Sequence, residues 1–431
     1  MNNKSTLSKL LALVFAFALL ATACGGSDAD SDDAGADGES SARTDEATDD
    51  EAMDDDDAMD DEAEPADADD GDAMDDDAMD DEAEPADADD GDAMDDDAMD
   101  DEEEVELTQG GGVLDAVKAR GELNCGVSGA AIAFSITQPD GSQVGFDADF
   151  CRAVAAAILG DSEAVNFVAL TAAERFTAVQ TGEVDVLMRN TTWTQSRDTD
   201  VGMDFGPTTY FDGQQLMGRA GDGFGPDSTV ADIDGAVVCT NAGTTTEKNI
   251  ADAAEAAGVS IDVQTFEDFN IVTDTFISGG CDVITTDGSG LVGRKAEQQP
   301  ADQDWVIFPG QPISKEPLGP TYGQNDSQFA DVVNWTVYAM LIADENGINR
   351  DNVADAVSDP ATAEIGRLLG GEGELQTLMG LDADAFLNVI SQVGSYSDIF
   401  NDHLVPVGIK LEGSANDLWS NGGLMYPPPA R

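Results

Sequence analysis

The chain has 431 residues, enough for two or three domains, and carries 90 Asp and Glu against 18 Lys and Arg, a formal net charge of −72. A polyanion this strong excludes nucleic acid as a partner, because phosphate binding needs concentrated Lys and Arg. The acid is unevenly placed: residues 25–104 hold 42 acidic side chains and a single base, Arg43.

Residues 1–23 read as an export signal. Lys4 and Lys9 form a basic start, LLALVFAFALLA (10–21) an apolar stretch, and ATAC (21–24) a small-residue end. The apolar run is too short to span a bilayer comfortably as a helix. An ordinary cleavage site near Ala23 accounts for the pattern. A lipoprotein signal accounts for it more fully, because Cys24 stands between Ala-Thr-Ala and the polar Gly25-Gly26-Ser27. Cys24 is then the lipidated first residue of a protein tethered to a membrane.

Residues 24–106 form an acidic linker in which 61–80 (DEAEPADADDGDAMDDDAMD) recurs unchanged as 81–100. With few large apolar side chains and dense like charge, such a segment cannot repay its own ordering. At about 3.3–3.6 Å per residue, eighty residues reach at most roughly 260–290 Å. DADDG (67–71 and 87–91) invites comparison with a calcium loop, but its Gly comes one residue early and the distal Glu is missing. The expected role is a solvated spacer with weak, nonspecific cation binding and no structured metal or cofactor site.

From Gly112 periodic elements begin. LNCGV (123–127), VNFVAL (165–170) and VDVLMRN (184–190) read as strands, with helices at 146–160 and 172–182. This β-α-β-α-β order predicts a parallel sheet with helices on both faces. An extended stretch, TTYFDGQQLMGR (208–219), leads to a second run of the same kind. Its strands are 236–240, 260–266, 282–287 and 305–310, and its helices 245–258 and 270–280. The chain returns through ISKEPLGPTYG (313–323) to a helical tail, with helices near 327–344, 361–369 and 384–394. The expected fold class is α/β with two lobes. Lobe 1 begins with 107–212, lobe 2 is 213–312, and 313–431 returns to lobe 1 and extends it. Two crossings make a hinge, and a ligand binds at the strands' carboxyl ends, in the cleft.

Three loops at those ends could grip a ligand. Strand 236–240 runs into NAGTTTE (241–247), where Thr244 and Glu247 have capping-box spacing and a helix starts near Thr245. Hydroxyls and free N–H groups there suit a carboxylate; the same spacing serves a plain helix cap. RNTTWTQSR (189–197) ends in Arg197, suited to a bidentate grip on a carboxylate or to a surface pair with Asp198 or Asp200. Asp287 ends strand 282–287 before Gly288-Ser289-Gly290, where it can meet an ammonium or form a turn. Together the three match an α-amino acid zwitterion.

These stretches, with LDAVKARGELNCGV (114–127), GFDADFCRAVAAAILGD (145–161), GTTTEKNIAD (243–252), ISKEPLGP (313–320) and LWSNGGLMYPPPAR (418–431), resemble the type-II periplasmic binding proteins of amino-acid ABC transporters. The resemblance is strongest to the general L-amino-acid and glutamate/glutamine/aspartate/asparagine branch, and runs from about Thr108 to Arg431. It implies a free L-amino acid as ligand, an ABC permease with its ATPase as partner, and a monomer. It also implies that Arg197 holds the α-carboxylate with Thr192, Thr244 and Thr245. Asp287 and the backbone carbonyl of Asn190 then hold the ammonium. Arg175 corresponds to an arginine that takes the side-chain carboxylate in glutamate and aspartate binders. Ala131 and Ala173 stand where basic-amino-acid binders place aromatics, and Ser128 where they place an acidic anchor, so a broad polar or acidic preference is expected. Trp193 belongs either to the pocket or to the core.

Two other classes fit the fold: an amino-acid sensing module, and an enzyme resembling cyclohexadienyl dehydratase. The one histidine, His403, lies in the tail, which removes most Ser-His and Cys-His nucleophile schemes. A non-catalytic receptor is therefore the expectation. The four cysteines after Cys24 allow three pairings in an oxidising compartment. Their positions favour Cys125–Cys151 and Cys239–Cys281 over four buried thiols.

Overall fold

The computed structural model describes residues 112–371 and 374–431. The expected leader, Cys24 and the acidic repeats lie outside the described residues.

After an opening helix, Val113–Arg120, the strands of the first lobe are β1 (Leu123–Val127), the short β2 (Ala130–Ala131), β3 (Ser135–Thr137) and β4 (Gln143–Val144), then β5 (Val165–Ala169), β6 (Val186–Leu187) and β7 (Met203–Phe205). β8 (Tyr210–Asp212) is the first crossing. The second lobe holds β9 (Gln214–Arg219), β10 (Val237–Asn241), β11 (Asp262–Phe266), β12 (Val283–Asp287) and β13 (Trp305–Phe308). β14 (Glu316–Leu318) crosses back, antiparallel to β8, and β15 (Thr321–Gly323) re-enters the first sheet.

The sheet orders are β5-β1-β6-β15-β7 and β11-β10-β12-β9-β13. The βαβ strands of each sheet run parallel, as expected, and one antiparallel strand in each, β15 or β9, makes both sheets mixed. The reason is the hinge. A strand fed by a helical crossover runs toward the cleft, whereas a strand arriving from the crossing starts at the cleft and runs away. The extended stretch 208–219 divides at Gly213, where a Cβ would lie 2.5 Å from Pro312 Cβ and 2.7 Å from the Ser314 carbonyl oxygen. Only glycine lets the two crossing chains touch there.

The helix Phe146–Leu159 shows why the tail exists. Its run Ala153–Ala157 is buried on every side, so it is sandwiched rather than amphipathic. β1 covers one face, and the tail helices Ser327–Glu345, Ala385–Gln392 and Tyr396–His403 cover the other. Phe146 sits at the centre of an aromatic cluster with Phe150, Tyr396 and Phe400, edge to face at 5.1–6.0 Å. Such pairs add about 0.5–1.5 kcal/mol each beyond burial. Three expected tail helices are present as Ser327–Glu345, Ala363–Leu368 and Ala385–Gln392; Val353–Ser358, Leu375–Leu378 and Tyr396–His403 are additional.

Candidate functional site

One cavity of ≈ 250 Å³ lies between the lobes. From lobe 1 it is lined by Ser128, Ala131, Arg175, Arg189, Asn190 and Thr192. From lobe 2 the chemistry comes from Thr244, Thr245, Asp268, Asp287 and Arg294.

Each group reaches the cavity for a local reason. Thr244 caps the helix Thr245–Ala257, its oxygen accepting from Glu247 N, while Glu247 accepts from Gly243 N at 2.7 Å. The helix cap and the cavity wall are thus the same residues, and the two readings of NAGTTTE are compatible. Asn190 stands at φ 33°, a left-handed backbone that Asn tolerates better than most residues. This turn directs its N–H onto Asp147 Oδ2 at 2.8 Å and leaves its own Oδ1 without a partner among the described residues. Asp287 ends β12 and caps no N–H of the helix that follows.

That helix, Gly288–Gln298, replaces the turn, one of the two readings of Asp287. Three glycines lower its propensity, but they are needed for contact. At Gly288 a Cβ would meet Gln215 Oε1 at 2.4 Å, and at Gly293 it would meet Ile132 of the other lobe at 3.1 Å.

Two buried groups of opposite sign, Arg175 and Asp287, form no ion pair among the described residues, and Arg175 lies over the Phe176 ring at 4.8 Å. Arg175 is 3% exposed, and its Nε has no hydrogen-bond partner among the described residues. Burial, and then the Arg189 and Arg197 guanidiniums, hold it well below the usual arginine range, with Asp287 opposing. Asp287, 6% exposed, is pushed well above the usual carboxylate range by burial and by Asp212 and Glu316, with Arg175 and Arg197 opposing. Arg189 is lowered to about 10, chiefly by burial, and donates Nε to the Leu170 carbonyl at 2.9 Å.

Other expected residues fall elsewhere. Arg197, 7% exposed, donates to the Thr192 carbonyl at 2.8 Å and lies over the Phe176 ring; it is outside the cavity lining. Ala131 lines the cavity, but Ala173 is exposed and its place is taken by Ala172. Trp193 is neither pocket nor core: it is 44% exposed, stacks on Phe205, and borders a second, hinge-side cavity. His403 is 2.6 Å from Asp149 and does not line the main cavity. Cys125 is bonded to Cys151 and Cys239 to Cys281, with Cα separations of 6.0 and 5.9 Å.

Five residues at or beside the cavity went unread in the sequence: Arg189, Asp212, Asp268, Arg294 and Glu316. Arg189 and Glu316 sit inside motifs already singled out, RNTTWTQSR and ISKEPLGP. Arg294 was hidden in the unforeseen helix.

Two lobes, a two-stranded hinge and charged groups of both signs around an inter-lobe cavity describe a solute-binding protein. Residues 123–356 match the family model of bacterial extracellular solute-binding proteins, family 3. The chain belongs to this family. It is 41% identical to the general L-amino acid-binding periplasmic protein AapJ of Rhizobium johnstonii, over 74% of this chain and 92% of that protein. It is 42% identical to the glutamate/glutamine/aspartate/asparagine-binding protein BztA of Rhodobacter capsulatus, over 74% and 93%. Among solved structures it is similar to a periplasmic binding protein from Brucella ovis with glutathione bound, at 44% identity and TM-score 0.69, covering 74% of this chain and 99% of that one. These matches agree with the resemblance read from the sequence. Among the described residues no helix is long and apolar enough to cross a membrane.

Proposed function

We propose that the protein is a non-catalytic receptor for free L-α-amino acids, broad in specificity with polar and acidic side chains favoured, that delivers its ligand to an ABC importer. The observation that carries this reading is that Arg175 and Asp287, two buried groups of opposite sign, line one cavity. Neither charge is well solvated, and a zwitterion supplies a counter-charge to each. The ammonium goes to Asp287 and the Asn190 carbonyl. The carboxylates go to the lobe 1 guanidiniums: Arg175 at the wall and Arg197 adding positive potential behind Thr192. The first-turn N–H groups at Thr244-Thr245 assist. The names of AapJ and BztA support the ligand class, and so does a relative solved with glutathione bound, since glutathione carries a free α-amino acid group. The receptor works as a monomer, tethered through lipid on Cys24 and docking on permease subunits.

The test is calorimetry on protein stripped of carried-over ligand by unfolding and refolding without reductant. Glutamate is compared with its α-amide and its N-acetyl derivative. Both blocked forms should bind at least about tenfold more weakly, since each removes one charge-assisted contact. If either binds within a few-fold of glutamate, the zwitterion clamp is not the mechanism.

A further inference from the structure

Glu316 lies on β14, the return crossing, and is 1% exposed. Four side chains donate to its carboxylate. Thr192 Oγ1 of lobe 1 reaches Oε2 at 2.6 Å, and Thr245 Oγ1 of lobe 2 reaches the same oxygen at 2.9 Å. Asn249 Nδ2 and Ser314 Oγ reach Oε1 at 2.7 and 2.6 Å. One carboxylate thus ties the crossing to the ligand loop of lobe 1 and to the first turns of the lobe 2 helix. The two threonine oxygens come within 3.4 Å of each other across the cleft.

A hydroxyl has one proton and two lone pairs. Thr192 and Thr245 both line the cavity and both spend their proton on Glu316. Toward a ligand they can therefore only accept. We infer that Glu316 is a positioning residue of the binding site: it fixes the Thr192 and Thr245 hydroxyls as acceptors for the ligand's ammonium, and it latches the two lobes together at the hinge. This rests on the amino-acid reading above for the ligand part and is independent of it for the latch. It makes the ammonium end the end read by the threonines, beside Asp287, and leaves the carboxylates to the guanidiniums and backbone N–H groups.

The test uses the full chain with Cys24→Ser and compares wild type with Glu316→Gln and Glu316→Asp. Without ligand, spin labels at Thr177→Cys and Asp252→Cys, both exposed and on opposite lobes, report the inter-lobe distance. Glu316→Gln should shift the distribution toward longer distances, and Glu316→Asp less so. With ligand, glutamate is compared with glutarate, which lacks the ammonium. Glu316→Gln should weaken glutamate by about tenfold or more, the value of one or two hydrogen bonds. Glutarate should be unaffected or bind better, because the freed hydroxyls can then donate. Equal weakening of both ligands would reduce Glu316 to a structural role and overturn the hydroxyl assignment. An unchanged distance distribution would overturn the latch. Should wild type bind no amino acid, the proposed function fails while the distance measurement still decides the latch.

Discussion

Arg294 of lobe 2 donates through Nη2 to the Ala130 carbonyl of lobe 1 at 2.7 Å, while Nη1 is held by Asn270 at 2.6 Å and Gln298 at 3.1 Å. A guanidinium anchored in one lobe and bonded to the backbone of the other is a clasp at the mouth of the cleft. Opening breaks that bond; ligand entry alone does not. Arg294→Ala should therefore speed ligand release by about tenfold, the value of a charge-assisted hydrogen bond, with a smaller effect on association. Stopped-flow fluorescence checks this: an unchanged release rate would mean that the clasp does not resist opening.

Arg175 and Asp287 should show opposite effects on binding and on stability. Removing one partner of a buried charge pair costs about 2–5 kcal/mol, so Arg175→Met and Asp287→Asn should weaken ligand by roughly 30- to 5,000-fold. If Arg175 takes the side-chain carboxylate, its loss should fall hardest on glutamate and aspartate. In the unliganded protein Arg175→Met removes a poorly solvated guanidinium and Asp287→Asn a carboxyl whose ionisation burial opposes, so both should melt higher than wild type. Calorimetry and thermal melts on the same samples decide it, and a lower melting temperature for both variants would contradict the idea of charges held ready for a ligand.

Asp147 carries a pH signature. Burial raises it from 3.8 to about 6, opposed by the Asn190 N–H and by Arg189. An acid that protonates more readily when folded binds more protons in the native state. Its contribution to stability is fully present below about 3.8 and is lost as pH rises through about 6. The difference is on the order of 3 kcal/mol. Asp147→Asn does not titrate, so the melting temperature of wild type minus that of the variant should fall as pH is raised from about 4 to about 7. A difference that stays flat across that range would show that Asp147 titrates alike in both states.

The Cys125–Cys151 and Cys239–Cys281 pairs close loops with sequence separations of 26 and 42 residues. Loop entropy gives roughly 3.5 and 4 kcal/mol respectively. Under denaturing, non-reducing conditions the Cys24→Ser protein should show no reactive thiol, and reduction should lower its melting temperature. Four free thiols would refute the pairing.

The tether is tested by detergent phase partition. Wild type should enter the detergent phase and Cys24→Ser should stay in water, because two acyl chains anchor stably where one does not. Deleting residues 30–100 should leave the affinity of purified protein unchanged, since that composition has no core to lose. A loss of binding would mean that the acidic segment reaches the cleft.

The sequence made the lobes legible because each is a run of βαβ units with clear periodicity. It also marked Thr244 and Asp287, since strand ends are where open α/β sheets bind ligands, while Asn190 came from the family resemblance. It hid what depends on the hinge. Glu316 looks like one more acid in an acidic chain; only the register of β14 on β8, with Glu316 opposite Asp212, places it between the lobes. The helix Gly288–Gln298 was masked by glycines that serve close packing, Gly288 against Gln215 within lobe 2 and Gly293 against Ile132 of the other lobe, which no local propensity records. Arg197 reads as an exposed donor in a polar loop, but its reach to the Thr192 carbonyl is set by how that loop folds back.

The swap of strands at the hinge also sets an order of assembly. β7 is an edge strand whose sole neighbour in its sheet is β15, and β15 is reached only after the whole of lobe 2. Lobe 2 is contiguous from β9 to β13 and its sheet needs no other part of the chain. Lobe 1 stays an incomplete sheet until the chain has gone out and returned. The receptor's first-made half is therefore its last to be finished, and a chain cut anywhere before Thr321 leaves Met203–Phe205 without a strand to pair with.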